Sequence, residues 1–232
     1  MEHHFDDLDQ PASVVVGAPS PLVQEILTQL GSRGHHAVSI GGAGFNLDHP
    51  DAVEECFAEA CGDRRVGVLV HADIPPGAAQ PRALMDLDDK GWDLRCESII
   101  RSTLLVFQAA HRRLAAGGSV VLVAPSISLG GEAGLAAWSA AAEAQRNLAK
   151  VAARRWGGAG VRVNVVAVPP ALLGDDSDTE MGRDSGPTSP APGEPAATVS
   201  AVADLVCMLV GPESRSLTGS TLVADGGSLM VP

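Results

Sequence analysis

Short apolar runs alternate with stretches in which apolar residues recur every three or four positions, almost from one end of the chain to the other. That alternation is the mark of a parallel sheet covered by helices on both faces. Residues 13–17 read as a strand, and Leu22, Val23, Ile26, Leu27 and Leu30 then recur at helical spacing until Gly31 and Gly34 end the helix. Ser20 stands as its N-cap and Pro21 at its first position. A second strand follows at 36–40, and a second helix is marked by Ala52, Val53, Cys56, Phe57 and Ala60. Residues 66–70 form a fully apolar run of the kind buried on both sides of a sheet. The spacing then predicts a long helix over 92–115 leading into a strand at 119–123. A second, Ala-rich helix over 135–156 leads into a strand at 161–168, and the last helix and strand fall at 198–210 and 220–224. The fold class expected is α/β, a single doubly wound Rossmann-like parallel sheet with helices on both faces, occupying 13–232 after a tail at 1–12. No internal repeat breaks it up. Between 169 and 197 the chain is acidic, rich in Pro, Gly and Ser and poor in apolar residues, which predicts a mobile loop over the carboxyl ends of the strands.

At 232 residues and 45% hydrophobic content the chain can bury a core without help from metal or disulfide. Its 16 Lys+Arg against 28 Asp+Glu give a net charge of −12, the wrong sign for a nucleic-acid backbone or an anionic membrane surface. The charge-free stretch 114–131 contains Gly, Ser and Pro that hydrocarbon does not tolerate in a spanning helix, so no membrane is expected as partner. The acidic start has no apolar h-region, and a cytoplasmic location is expected. Cys56, Cys61, Cys96 and Cys207 form no C-x-x-C pair and sit in apolar periodic segments, as reduced core thiols do; no metal site is expected. The chain contains no Tyr, and its only lysines are Lys90 and Lys150.

Three phrases, Leu135-Ala-Ala-Trp-Ser-Ala-Ala-Ala142, Gly160-Val-Arg-Val-Asn-Val-Val-Ala167 and Leu217-Thr-Gly-Ser-Thr-Leu-Val-Ala-Asp-Gly-Gly227, give the sequence its character. On these residues it resembles the short-chain dehydrogenase/reductase family over nearly its whole length, which implies a Rossmann-like sheet with right-handed crossovers. The family binds NAD(P) with G-x-x-x-G-x-G after the first strand, where small residues let backbone amides approach the pyrophosphate. Laid on this chain, those positions hold Gly17, Pro21 and Val23. Proline removes a donor and valine fills the space a glycine leaves open. The second strand ends in Ile40-Gly-Gly42, which offers no ribose partner, and the family's N-N-A-G, after its fourth strand, becomes His71-Ala-Asp-Ile74. The family's catalytic Tyr falls on Trp138, its Lys on Ala142, its Ser on Pro125 and its Asn on Ile99, and a one-residue slip would put Ser126 in the serine's place. An indole N–H donates a hydrogen bond but exchanges no proton near neutral pH. The missing tyrosine also excludes the halohydrin dehalogenase branch. No cofactor is therefore expected.

The carboxyl ends of the strands are where such folds bind ligands, and the candidates there are His71, Asp73, Ser126, Ser128, Trp138, Asp175 and Asp176. His71 and Asp73 are open to two readings: an oriented acid/base pair, or a strand cap and an Asx turn before Pro75-Pro76. His111, followed by Arg112 and Arg113, sits near a helix end where positive charge suits the dipole. Trp92 and Trp156 are read as packing or interface anchors. In the family the two long helices commonly pair across a two-fold axis, and the Ala-rich character of 135–156 would permit close approach. The function expected is a non-redox family member acting as a non-catalytic subunit of a homo-oligomer, or of a hetero-oligomer with an active paralog. A cofactor-independent lyase, cyclase or isomerase, and a regulator that binds a small-molecule ligand, are the alternatives.

Overall fold

In the computed structural model residues 10–41, 47–173 and 197–229 are described. Strand β1, Ala12–Val16, is buried at every position, as a Val run on a two-sided sheet requires. Helix α1, Pro21–Ser32, begins as the sequence indicated: the Ser20 hydroxyl accepts from Val23 N at 3.2 Å and Pro21 opens the first turn. Gly31 lies inside its last turn, and the chain reverses at Gly34, whose φ is 84°. Strand β2, His36–Ile40, and helix α2, Pro50–Cys61, follow. Strand β3, Val66–His71, takes in His71 as its last residue and is the third strand of the chain, not the fourth.

The helix expected at 92–115 is interrupted. A short helix α3, Asp89–Trp92, passes through one π-helical turn, Asp93–Glu97, into α4, Ser98–Arg113. The strand expected at 119–123 is the middle of a longer β4, Leu114–Pro125. After the single turn α5, Ile127–Gly130, come α6, Ala136–Trp156, β5, Arg162–Val168, α7, Val199–Val210, and β6, Thr221–Val223.

The six strands lie parallel in the order β2-β1-β3-β4-β5-β6, the doubly wound α/β architecture expected. Helices α1 and α7 cover one face, with Leu22, Ile26, Val202 and Val206 packed on Val15, Val70 and Val166. Helices α2, α4 and α6 cover the other, with Phe57, Val106 and Ala149 packed on Val14, Leu69 and Val165. Strand order reverses between β1 and β3, so the fold's natural ligand crevice opens beyond their carboxyl ends. No helix among the described residues is long and apolar enough to cross a membrane.

The phrases that carry the family likeness form a clasp. The Arg162 guanidinium donates to the Leu209 carbonyl and the Ser214 hydroxyl at 2.7 Å, and to the carbonyls of Ser214, Val210 and Gly211 at 3.2 Å. It thus satisfies the open carbonyl end of α7 with positive charge supplied from a strand. Asn164 holds the approach to β6 from both directions, donating to the Leu217 carbonyl at 2.9 Å and accepting from Ser220 N at 3.1 Å. Asp225 closes the phrase by accepting from Gly227 N at 2.9 Å and Leu229 N at 2.7 Å.

Because several charge-assisted bonds leave together, Arg162→Met should cost about 2–3 kcal/mol of unfolding free energy. Urea denaturation checks it, and a loss confined to surface-mutation size would contradict the clasp.

Candidate functional site

At the crevice three strand ends converge with only backbone between them. Ala72 N donates to Val16 O at 2.8 Å and Gly17 N to Ile40 O at 2.9 Å. A Cβ on Gly17 would stand 2.8 Å from Ala72 O and 3.2 Å from Cγ2 of Val23, and one on Gly41 would stand 2.0 Å from Gly17 O. Gly17 is therefore required by packing, and Val23, itself buried, fills the space beside it. Asp73 turns into this crevice and accepts from Ala18 N at 3.2 Å, just beyond the end of β1. Burial pushes its carboxyl above the usual range, against the pull of the Ala18 amide, and Asp48 adds to the rise.

His71 does not line the crevice. It is completely buried on the side of the sheet covered by α4 and α6, where its Nε2 lies 3.1 Å from Oγ1 of Thr103. The Thr103 hydroxyl donates to Ile99 O at 2.9 Å and also accepts from Nε2 of Gln145 at 2.8 Å. With that hydroxyl proton committed, Nε2 of His71 must be the protonated nitrogen, and Nδ1 is a bare acceptor buried without a partner. Desolvation drives the His71 pKa down to about 4, so the ring is neutral. As an acid/base pair His71 and Asp73 are separated: β3 ends at His71 and the chain turns Asp73 toward β1 instead.

The other sequence candidates scatter. Ile99 is buried at the start of α4, and Pro125 is the last residue of β4, opposite Val168. Trp138 and Ala142 lie on the inner side of α6, the indole only 1% exposed. Ser126 anchors the turn after β4, its amide donating to Val168 O at 2.8 Å, and the Ser128 hydroxyl is buried without a partner. Asp175 and Asp176 lie outside the described residues. Trp156 packs on Phe107, ring centres 5.8 Å apart, and stacks on His111 at 4.8 Å, so both rings serve the same helix contact.

Sequence reasoning missed Thr103, Gln145 and Arg95. Thr103 and Gln145 lie at inward-facing positions of α4 and α6 beside the buried Ser102 and Arg146, and Arg95 lies on the π turn; polar residues at core spacing are the trace they leave in the sequence. Arg95, only 7% exposed, lines a shallow cleft with Arg82, Leu87 and the residues that open α6. Among the described residues no group of three or more His, Cys, Asp or Glu side chains is placed to hold a metal.

Comparison with known proteins fixes the family. The family model described as enoyl-(acyl carrier protein) reductase matches residues 12–228. Cis-4-hydroxycyclohexanecarboxylate dehydrogenase of Sinomonas cyclohexanicum is 27% identical over 237 residues, covering 94% of this chain and 87% of that protein. D-threitol dehydrogenase of Mycolicibacterium smegmatis is 29% identical over 209 residues, covering 85% and 75%. The crystal structure of a short-chain dehydrogenase from Burkholderia cenocepacia in complex with NADP superposes with a TM-score of 0.73 at 24% identity, over 96% of this chain and 99% of that one. The chain belongs to the short-chain dehydrogenase/reductase family.

The buried neutral histidine makes stability depend on acid. An unfolded His titrates near pH 6.5 and the folded His71 near 4, so between these values the unfolded chain takes up a proton that the folded chain refuses. Stability is complete above the higher value and should decline by about 3 kcal/mol as the pH falls to the lower. Denaturant midpoints followed from neutral to acid pH should show that decline in the wild type and lose that share of it in His71→Leu.

Proposed function

We propose that this family member performs no NAD(P)-dependent redox chemistry and serves as a non-catalytic subunit, paired with itself or with an active paralog. The observation that carries the reading is the Asp73 carboxylate on Ala18 N at the β1–β3 crevice. A dinucleotide pyrophosphate needs free amide donors and no competing anion at this place. Here Ala18 N is bound to a carboxylate, Val23 N to the Ser20 hydroxyl, Gly17 N to Ile40 O, and Pro21 has no N–H. These residues do not fit the cofactor. The proton chemistry is missing as well: Trp138 stands where the family's acid/base residue would be, in a chain without tyrosine, and Ala142 where its lysine would be.

The assembly half of the reading draws on α4 and α6. Of the Ala-rich set on α6, Ala137, Ala141 and Ala142 are buried against the chain's own core, while Ala136, Ala140 and Ala144, spaced one turn apart, stay partly exposed. The outward sides also carry exposed apolar residues, Leu104 at 41% and Val151 at 56%, with Leu94 at 41% on the adjoining π turn. These are the positions an interface would cover. The dehydrogenases related to this chain act on substrates their own names state, and that chemistry does not transfer to a site whose donors are already taken.

Calorimetric titration with NAD and with NADP should give no binding stronger than ~10 μM, and a tighter constant for either would overturn the non-redox reading. The assembly half is checked by light scattering: the wild type should run at least as a dimer, alone or with its paralog, and Leu104→Arg or Val151→Arg should dissociate it. Monomeric wild type in both settings would remove the subunit reading.

A further inference from the structure

Helix α6 is the longest helix described and begins without a cap. Leu135 occupies its N-cap position and no side chain accepts from the first turn. The first bond of the helix runs from Ser139 N to Leu135 O at 2.8 Å, so among the described residues the amides of Ala136, Ala137 and Trp138 have no acceptor. Unpaired N–H groups at the positive end of a 21-residue helix attract anions, and these three line the shallow cleft named above.

The second observation is independent of the helix. Arg95 is 7% exposed and belongs to the same cleft wall. Its Nε is buried with no partner, its Nη1 reaches only the Gly91 carbonyl at 3.5 Å, and among the described residues it forms no ion pair. The other deeply buried arginine, Arg146, pairs with Glu143. The neighbouring carboxylate, Asp88, whose Oδ1 would stand 2.8 Å from a Cβ on Gly91 where Arg95 Nη1 would stand 3.3 Å, makes no ion pair with Arg95, and a bound anion would offset the cost of a guanidinium carried inward with an unpaired Nε. Arg82 stands across the cleft with an exposed side chain, its own amide tied to Gly134 O at 2.8 Å beside the start of α6. Among the described residues no Asp or Glu lines the cleft, although the chain as a whole carries −12. Asp88, on the neighbouring turn, is engaged as the cap of α3, accepting from Gly91 N at 2.8 Å.

We propose that this cleft binds a small oxyanion head group, carboxylate or phosphate, held by the amides of Ala136, Ala137 and Trp138 and the Arg95 guanidinium, with Arg82 as an outer clamp. In the conformation seen the space is narrower than a water, so the head group enters as the exposed Arg82 side chain swings outward. The apolar Leu87 beside it leaves the remainder of the ligand outside the cleft. The site lies at the α6 end of the carboxyl edge, apart from the β1–β3 crevice, and it does not depend on the subunit reading.

The test is an amide-resolved NMR titration of the full chain with inorganic phosphate and, separately, with acetate at matched ionic strength. The expected result is saturable movement of the 136–138 amides with a dissociation constant at or below about 1 mM, weakened about tenfold or more in Arg95→Met and in Arg82→Gln. Arg33→Gln, which removes a surface partner of Asp204, should leave it unchanged. Tighter binding of phosphate than acetate assigns the site to phosphorylated ligands, and the reverse to carboxylates. No saturation with either anion, or saturation unaltered in Arg82→Gln, overturns the proposal. That exposed variant decides alone should Arg95→Met fail to fold.

Discussion

The Arg162 guanidinium is the fixed point of the carboxyl-terminal third. Burial lowers its pKa below the ordinary arginine value, which measures what the charge loses by leaving water. The carbonyls of Leu209, Val210 and Gly211 and both oxygens of Ser214 offset that loss. Because those carbonyls are the end of α7, one side chain on β5 sets where α7 stops and at what height it lies against α1. Asn164, two residues on, fixes 217–220, and with them the start of β6. The two residues therefore complete both the sheet and the helix layer on its first face. Of the three phrases that resemble the family, the two at 160–167 and 217–227 are those that build this clasp.

Most of the fold was legible because burial periodicity and capping are local. Leu22, Val23, Ile26 and Leu30 announce α1, and Ser20 with Pro21 announces its start. The errors fall where a local rule has two outcomes. Cys96, Ile99, Thr103, Val106 and Ala110 keep nearly helical spacing across the π turn at 93–97, and spacing alone does not reveal one extra residue in a turn. The helix was expected to run to 115 and the strand to begin at 119, yet β4 begins at Leu114, which pairs with Val66 of β3, and the register shifts over the intervening Ala and Gly residues before Ser119 meets Val68. The alanines that open α6 serve two surfaces: Ala137, Ala141 and Ala142 are buried in the core while Ala136, Ala140 and Ala144 stay partly exposed, and nothing in an alanine distinguishes one use from the other.

The site was less legible, since it depends on where strands end. Two residues apart in an unbroken strand, His71 and Asp73 would share a face. The strand stops between them, so His71 stays in the interior with Thr103 and Gln145 while Asp73 crosses to the first strand. Gly17 was recognisable as a position of the family's phosphate loop, and in this structure the Ala72 carbonyl, 2.8 Å from any Cβ it could carry, requires a glycine there. Arg95 was passed over because an arginine in a helix is ordinarily a solvated residue; only three dimensions show it turned inward with its Nε unpartnered.

These placements give the carboxyl edge of the sheet an electrostatic polarity. On the β1 side a carboxylate of the chain itself occupies an amide that a phosphate would need, and that carboxylate is held above its usual pKa, the behaviour of a charge already short of donors. On the α6 side the reverse holds: donors outnumber acceptors, with two arginines and three helix amides and no carboxylate among them. On the proposed reading an anion arriving at this edge meets a carboxylate at the crevice where the fold ordinarily binds ligands and donors at the opposite end. The two features lie on different elements, Asp73 beyond β3 and Arg95 on the π turn. Neither therefore produces the other, and the buried, unpartnered Nε of Arg95 needs a reason of its own.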